Sequence, residues 1–432
     1  MSRRARTYHR LMTKPAPDPT SAAAVAPARS AASTGGGSRR ALTLLINAGH
    51  LIDHLMLLIF ATAVSSIARD FGFSRWEDLM PYTIGAFVTF GLCSLPAGRL
   101  GDLWGRRPMM LVFFFGVGLS TALAGLAHSA MQLAAALTLM GVFAAIYHPV
   151  GIPMLVRDAK NAGITIGING LWGNLGIAVA AVSTGLLVQY FGWRAAFIVP
   201  GALSIACGIA FALLVPFENT SPAMRKTARP VVVPKKQLVQ VVALMTGTAI
   251  FGTIVFNFTT NGNLELLRER LSWLGNQPAI LGALLAIVYV IASLAQLAVG
   301  SLLDRFNVRQ VMAPVVALQV PLFLLAANTD GWMFYAVLTA LMVFVFGAIP
   351  FTDTMVVRFV DDRMRSRVTG TRFFVAFGVS SAVVGLLGPA VKAAGFSTML
   401  YVMAAVACCT TAFALMLPDD PKPVEPAATA AG

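Results

Sequence analysis

Gly98-Arg99-Leu100-Gly101-Asp102-Leu103-Trp104-Gly105-Arg106-Arg107 is a short charged segment set between two long apolar stretches, and the chain carries a second copy of it. Gly300-Ser301-Leu302-Leu303-Asp304-Arg305-Phe306-Asn307-Val308-Arg309 repeats its Gly, Leu and Asp at an offset of 202 residues (98 to 300). Further on, Pro149, Met154, Val156 and Arg157 match Pro350, Met355, Val357 and Arg358 at an offset of 201 (149 to 350). Two independent matches at nearly one spacing point to two parallel halves, a construction many transporters share.

The sequence around these segments is that of a membrane protein. Of 432 residues, 57% are hydrophobic and 12% charged, and the mean hydropathy is +0.76. Soluble domains carry roughly 25% charged residues. Half that fraction leaves too little polar surface to cover a globule in water. The apolar runs are continuous and much longer than ten residues, which excludes a transmembrane strand barrel and predicts an all-α fold. Candidate spans fall at 41–67, 80–97, 109–127, 131–156, 162–190 and 195–216, then 238–260, 278–299, 311–328, 331–357, 367–391 and 395–417. The expected organisation is a basic tail (1–40), a six-helix half (41–216), a linker (217–237), a second six-helix half (238–417) and a short tail (418–432).

The formal charge of +14 resembles that of a nucleic-acid binder, but its distribution excludes that class. The basic residues sit between spans and in the tail instead of lining one face. With the N-terminus placed inside, 26 of the 32 Lys and Arg fall on the inner side. The outer loops hold six: Arg69, Arg75, Arg194, Arg268, Arg270 and Lys392. By the positive-inside rule both termini are expected to be cytoplasmic, and the expected location is a bacterial inner membrane, as a multi-pass protein. The polybasic linker suits contact with anionic membrane lipids. Cys93, Cys207, Cys408 and Cys409 lie in apolar stretches without metal or redox spacing and read as packing residues. Neither a cofactor nor a metal site is expected, and a monomer is.

The Gly98–Arg107 segment resembles the signature loop of the major facilitator superfamily, Gly-x-x-x-Asp-(Arg)-x-Gly-Arg-Arg. Phe191-Gly192-Trp193-Arg194-Ala195-Ala196-Phe197 resembles that family's Gly-Trp-Arg-x-x-Phe junction before span six, and the likeness runs from about Ala41 to Leu417. It implies twelve spans in two pseudo-symmetric halves and transport by alternating access. It also implies a conformational latch at Gly98, Asp102, Gly105, Arg106 and Arg107, with Asp304 in the degenerate copy. Leu103 stands where the family commonly has Arg.

Function in such a chain is expected at ionisable groups inside the bilayer, where a central Asp costs about 2.5–3.5 kcal/mol on insertion scales. Two of the 18 acids fall within the candidate spans, Asp53 in span one and Asp353 in span ten. Three of five histidines do so as well: His50, His54 and His148. His50, Asp53 and His54 fall at i, i+3 and i+4, hence on one helix face. A carboxylate among imidazoles can carry protons, and burial and a charged neighbour push it in opposite directions, so spacing leaves the net effect open. Tyr147-His148-Pro149-Val150-Gly151 predicts a broken helix lining a cavity. Tyr147, His148, Asn169, Trp172, Asn257, Asp353 and Arg372 are candidate substrate contacts. Glycines at three-residue spacing in Asn169-Gly170-Leu171-Trp172-Gly173-Asn174-Leu175-Gly176 suit close helix packing.

The histidine-and-acid first span, the Tyr-His-Pro of span four and the Gly-Asn-x-Gly of span five resemble the fosmidomycin-resistance branch of the same family. The first-span acid tends there to sit where this chain has His54. The Arg that the family's proton antiporters commonly place before the span-four glycine is absent near Gly141, where Leu137 and Thr138 stand. The expectation is a proton-coupled transporter of a small organic solute, with export favoured by the branch resemblance. A proton-coupled importer of an organic anion, bound through His148 and Arg358 or Arg372, is the first alternative. A non-transporting membrane receptor or scaffold is the second. An enzyme is not expected, because no nucleophile–base constellation appears, and no phosphate-binding glycine loop suggests ATP drive.

Overall fold

A computed structural model of the chain describes residues 36–157, 159, 162–217, 235–275, 277–359 and 362–418. Most of the N-terminal tail, most of the 217–237 linker and the C-terminal tail from 419 lie outside the described residues. Each long apolar run is helical, because lipid supplies no partner for a backbone N–H or C=O and the segment must satisfy its own. The spans are α1 (Ser38–Asp70), α2 (Trp76–Trp104), α3 (Arg106–Gly125), α4 (Ala130–Val156), α5 (Ile164–Phe191) and α6 (Trp193–Leu214). They continue with α7 (Val239–Arg270), α8 (Pro278–Leu303), α9 (Val308–Ala327), α10 (Gly331–Val356) and the run Thr371–Leu415.

That last run holds 45 residues, about 67 Å of helix at 1.5 Å per residue, twice the roughly 30 Å of a hydrocarbon core. Gly395 interrupts it with φ 76°, so the run is two spans, α11 (371–394) and α12 (396–415). Among the described residues twelve spans result, as the sequence predicts. The repeat is visible in the backbone as well. Left-handed glycines recur at an offset of 203, Gly72 with Gly275 and Gly192 with Gly395, each where a helix must end and the chain reverse. Arg107 Nε donates to Val215 O at 2.6 Å, and Arg309 Nη1 donates to Leu417 O at 3.3 Å. Both partners are shifted by 202 residues between the halves.

An even number of spans puts both described ends on one face, called here the terminal face. The halves meet along two helix pairs, α5 with α8 and α2 with α11. Dispersion and close packing hold such pairs, since lipid tails are as apolar as the helices. A Cβ on Gly185 of α5 would strike Pro278 O of α8, and one on Gly282 of α8 would strike Ala181 O of α5. At the face opposite the termini the halves are also tied by polar and aromatic contacts. Ser65 Oγ donates to Glu265 Oε1 at 2.8 Å, Lys392 Nζ meets Asp78 Oδ1 at 2.5 Å, and Trp76 stacks on Phe396 at 6.0 Å.

Gly282→Ala is expected to destabilise the α5–α8 seam by about 1–3 kcal/mol, the usual cost of overpacking. The measurement is thermal denaturation in detergent. Gly300→Ala, whose new methyl meets nothing within 4 Å, is the control and is expected to leave the transition unchanged or slightly raised.

Candidate functional site

The site is assembled where α1, α4 and α5 cross. α4 does not break at Pro149. Residues Tyr147–Gly151 form a π turn and the helix resumes over Ile152–Val156. Proline lacks an N–H and its ring crowds the preceding turn; the wider π turn accommodates both without ending the helix. The predicted interruption is therefore a local widening, and it lets two consecutive residues face α1. The Tyr147 ring stacks on the His50 ring at 4.8 Å, and the His148 ring meets His50 edge-on at 5.1 Å.

Asn169 of α5 organises the polar contacts. Its Nδ2 donates to Asn47 Oδ1 at 2.8 Å and to the Tyr147 hydroxyl at 2.8 Å. The Tyr147 hydroxyl donates in turn to Ile46 O at 3.0 Å. His50 Nδ1 lies 2.7 Å from Asn169 O. A carbonyl oxygen only accepts, so Nδ1 carries the hydrogen and the neutral ring presents a bare Nε2. That Nε2 is buried without a partner. Gly173, one turn along α5, leaves room for the ring, since a Cβ there would lie 2.7 Å from His50 Nε2.

Asp53 is wholly buried (0% exposed), and neither carboxylate oxygen has a hydrogen-bond partner. His148 Nε2 is 3.6 Å from Asp53 Oδ2, beyond hydrogen-bond length but within reach of a small side-chain rotation. His54 completes the group, its ring 4.8 Å from His50 and 6.0 Å from His148. No metal site is expected from the sequence, where spacing pairs only His50 with His54, yet the fold adds His148 and gathers three imidazoles whose ligand atoms all lie within 4.8 Å of one another.

The other candidate residues are distributed differently. Trp172 is partly buried beside Gly173. Asn257 is in the second half, donating to Ser380 Oγ at 2.9 Å and Thr253 O at 3.0 Å. Asp353 does not join His148: it pairs with Arg372 of α11 at 2.5 Å, and its side chain is 61% exposed. Arg372 is itself buried, with Nη1 unpartnered and its guanidinium 4.8 Å from the Phe373 ring. Phe373 in turn lies 5.5 Å from the His148 ring, across the seam between halves. Arg358 donates to Leu303 O and to Phe306 O, which occupies it structurally.

In the signature loop, Gly105 adopts φ 104° between α2 and α3. Gly98 brings α2 against the π turn, where a Cβ would lie 3.2 Å from Pro149. Arg106 donates to Pro153 O at 2.9 Å and Arg107 closes the carbonyl end of α6, at Val215 and Ala212. These contacts brace the first half internally. Asp102 is partly buried and Asp304 exposed in the loop of the second copy.

Among the buried groups that escaped the sequence reading are Asn47 and Glu265. Asn47 is a lone Asn in an apolar run, which carries no signal by itself. Glu265 is 4% exposed because α7 runs on to Arg270, ten residues past its predicted end. Arg268, at 2.5 Å, and Ser65 hold its carboxylate. The signal for it was Glu265 three residues before Arg268, a helical ion-pair spacing.

Removing the Asn169 amide leaves Asn47 Oδ1 without its donor and takes one bond from the Tyr147 hydroxyl, while the backbone carbonyl that holds His50 stays in place. Asn169→Ala is expected to cost about 1–3 kcal/mol per buried group left unsatisfied and to lower the detergent melting temperature more than Tyr147→Phe, which loses only the hydroxyl's bonds. Thermal scans of both variants check the order.

The family model of the Major Facilitator Superfamily matches residues 46–274 and again 248–432. A puromycin resistance protein of Streptomyces alboniger is 31% identical over 46% of this chain and 40% of its own length. A 4-hydroxybenzoate transporter of Pseudomonas aeruginosa is 24% identical over 65% of this chain and 68% of its own. The first of these matches thus spans less than half the relative's length. Among solved structures, a bacterial homologue of the human lysosomal transporter Spinster, inward-facing and unoccupied, superposes with a TM-score of 0.69. It is 14% identical and covers 88% of this chain and 97% of that one, a likeness of fold alone. Matched by the family model across both repeats and sharing the twelve-helix bundle, the chain belongs to the Major Facilitator Superfamily, whose members here are transporters and not enzymes.

Proposed function

We propose that the chain is a proton-coupled secondary transporter of a small organic solute, working by alternating access between its halves. One observation carries the reading: Asp53 is buried with both oxygens unpartnered, 3.6 Å from His148. An unpaired carboxylate so placed bears a desolvation cost of order several kcal/mol, and one proton removes it. A charge state this expensive is tied to whichever conformation admits water or a cationic partner. His148 is the nearest partner on a different helix, with His50 and His54 around it and Arg372 facing the group from α11 through Phe373.

The seam contacts support the cycle. Ser65–Glu265, Lys392–Asp78 and Trp76–Phe396 close the face opposite the termini, and rocking the halves would exchange them for opening there. In this reading the terminal face is cytoplasmic, in a bacterial inner membrane, and the Gly98–Arg107 loop acts as latch by bracing α2, α3, α4 and α6 as one body. Export is the preferred direction, within the fosmidomycin-resistance-like branch; the similarity to a resistance protein favours it. A second reading, uptake of an organic anion, is favoured by the unpartnered Arg372 Nη1 beside Phe373 at the seam.

The test is transport in proteoliposomes under an imposed proton gradient, with substrates drawn from a growth screen of deletion and overexpression strains. Asp53→Asn is expected to lose gradient-driven accumulation by at least tenfold while solute exchange at equal pH persists. Accumulation at the native rate in that variant would remove Asp53 from coupling. The sign of the pH dependence separates export from uptake.

A further inference from the structure

We infer that His50, His54 and His148 form a binding site for a divalent transition-metal cation of the zinc type, with Asp53 as the adjoining carboxylate. This goes beyond the transport reading and does not need protons to be the driving ion. His50 and His54 are four residues apart on α1, the spacing that presents two imidazoles on one helical face to one ion. His148 arrives from α4 on the π turn. The three ligand atoms lie within 4.8 Å of one another. Bonds of about 2.0–2.1 Å to a tetrahedral ion ask for roughly 3.4 Å between ligand nitrogens. The group must therefore contract by about 1.4 Å. Among the described residues no hydrogen bond holds the His54 ring, and His148 has only its 3.6 Å approach to Asp53, so both rings are free to turn inward.

Two further observations point to a ligand. His50 Nε2 is buried and unpartnered, while its Nδ1–H is fixed on Asn169 O at 2.7 Å. That backbone bond is the outer-shell contact that sets the tautomer of a metal-binding imidazole. The Asp53 carboxylate beside it likewise has no hydrogen-bond donor, leaving it available as fourth ligand or as compensating charge. Imidazoles with one carboxylate suit zinc, copper, nickel or cobalt, and not magnesium or calcium, which take oxygen sets. The guanidinium of Arg372 is the opposing charge nearby, and its pairing with Asp353 at 2.5 Å offsets it.

The experiment uses the full chain in detergent, purified on a tag without histidine and stripped with chelator. Cobalt(II) chloride is the probe, read by visible absorption, with zinc as competitor and magnesium as control. The expected result is one cobalt per chain with the intense bands of a four-coordinate site, displaced by zinc and indifferent to magnesium. His54→Ala and His148→Gln are expected to weaken binding at least tenfold, while His128→Ala, an exposed histidine outside the group, leaves it unchanged. Absence of cobalt bands in the native chain at millimolar metal overturns the proposal whatever the variants do. So does binding that survives loss of both His54 and His148. Neither outcome touches the coupling role of Asp53, which rests on the proteoliposome assay alone.

Discussion

Lipid forms no hydrogen bonds, and that constraint shapes this protein from its helices down to its polar side chains. Most hydroxyls inside the spans meet it by bonding back one turn, as Thr62 does to Leu58 O, Thr138 to Ala134 O, Ser183 to Val179 O and Thr339 to Tyr335 O. Groups too large for that solution are gathered into networks, of which Asn47, Tyr147 and Asn169 make the most complete. Against that background Asp53 is conspicuous. An ionised group without a partner is the most costly kind to bury, and Asp53 sits beside a network in which Asn169 Nδ2 and the Tyr147 hydroxyl donate to other acceptors. Helix packing that satisfies Asn169 and Tyr147 leaves both Asp53 oxygens and the neighbouring His50 Nε2 without partners, so unmet demand gathers at this crossing.

The π turn explains how the demand is focused. In a regular α-helix consecutive side chains diverge by about 100°, so Tyr147 and His148 would not both address α1. Widening the turn at Pro149 brings the tyrosine ring flat onto His50 and the histidine ring to its edge. The proline that costs a backbone donor thus supplies the geometry in which two neighbours serve different tasks. Tyr147 spends its hydroxyl on Ile46 O and fixes the spacing of α1 and α4. His148 keeps its ring nitrogens out of the backbone network and approaches the carboxylate.

Architecture was legible in the sequence because it is written in long-range regularities. Run length, charge between runs and a repeat of about 202 residues each survive local ambiguity, and α11 and α12, which meet at the left-handed Gly395, were separable by sequence. The site was half legible. The i, i+3, i+4 set on α1 follows from helical period alone, but its meeting with His148, Asn169 and Asn47 depends on which helices cross and at what depth. Pattern cannot distinguish a helix broken by proline from one widened by it, because both remove the same hydrogen bond. Glu265 was missed for a related reason: a charged residue near the end of an apolar run looks like a boundary, whereas here Arg268 and Ser65 let the helix carry it inward.

The two halves share a frame and differ in chemistry, and the difference bears on how such a machine divides its work. Left-handed glycines and arginine caps recur from one half to the other. The imidazoles do not. Where the first half has His50, Asp53 and His54, the second offers uncharged Asn257, Thr260 and Asn261 on α7, bonded to Ser380 and to their own helix. Among the described residues an aromatic bridge of Phe90, Phe377, Phe373 and His148 joins the first half's cluster to the second. On the second-half side of that bridge, Arg372 lies against Phe373 and pairs with Asp353. The asymmetry is one of chemistry: the imidazoles and Asp53 belong to the first half, and Phe373 and Phe377 of the second half pack toward them.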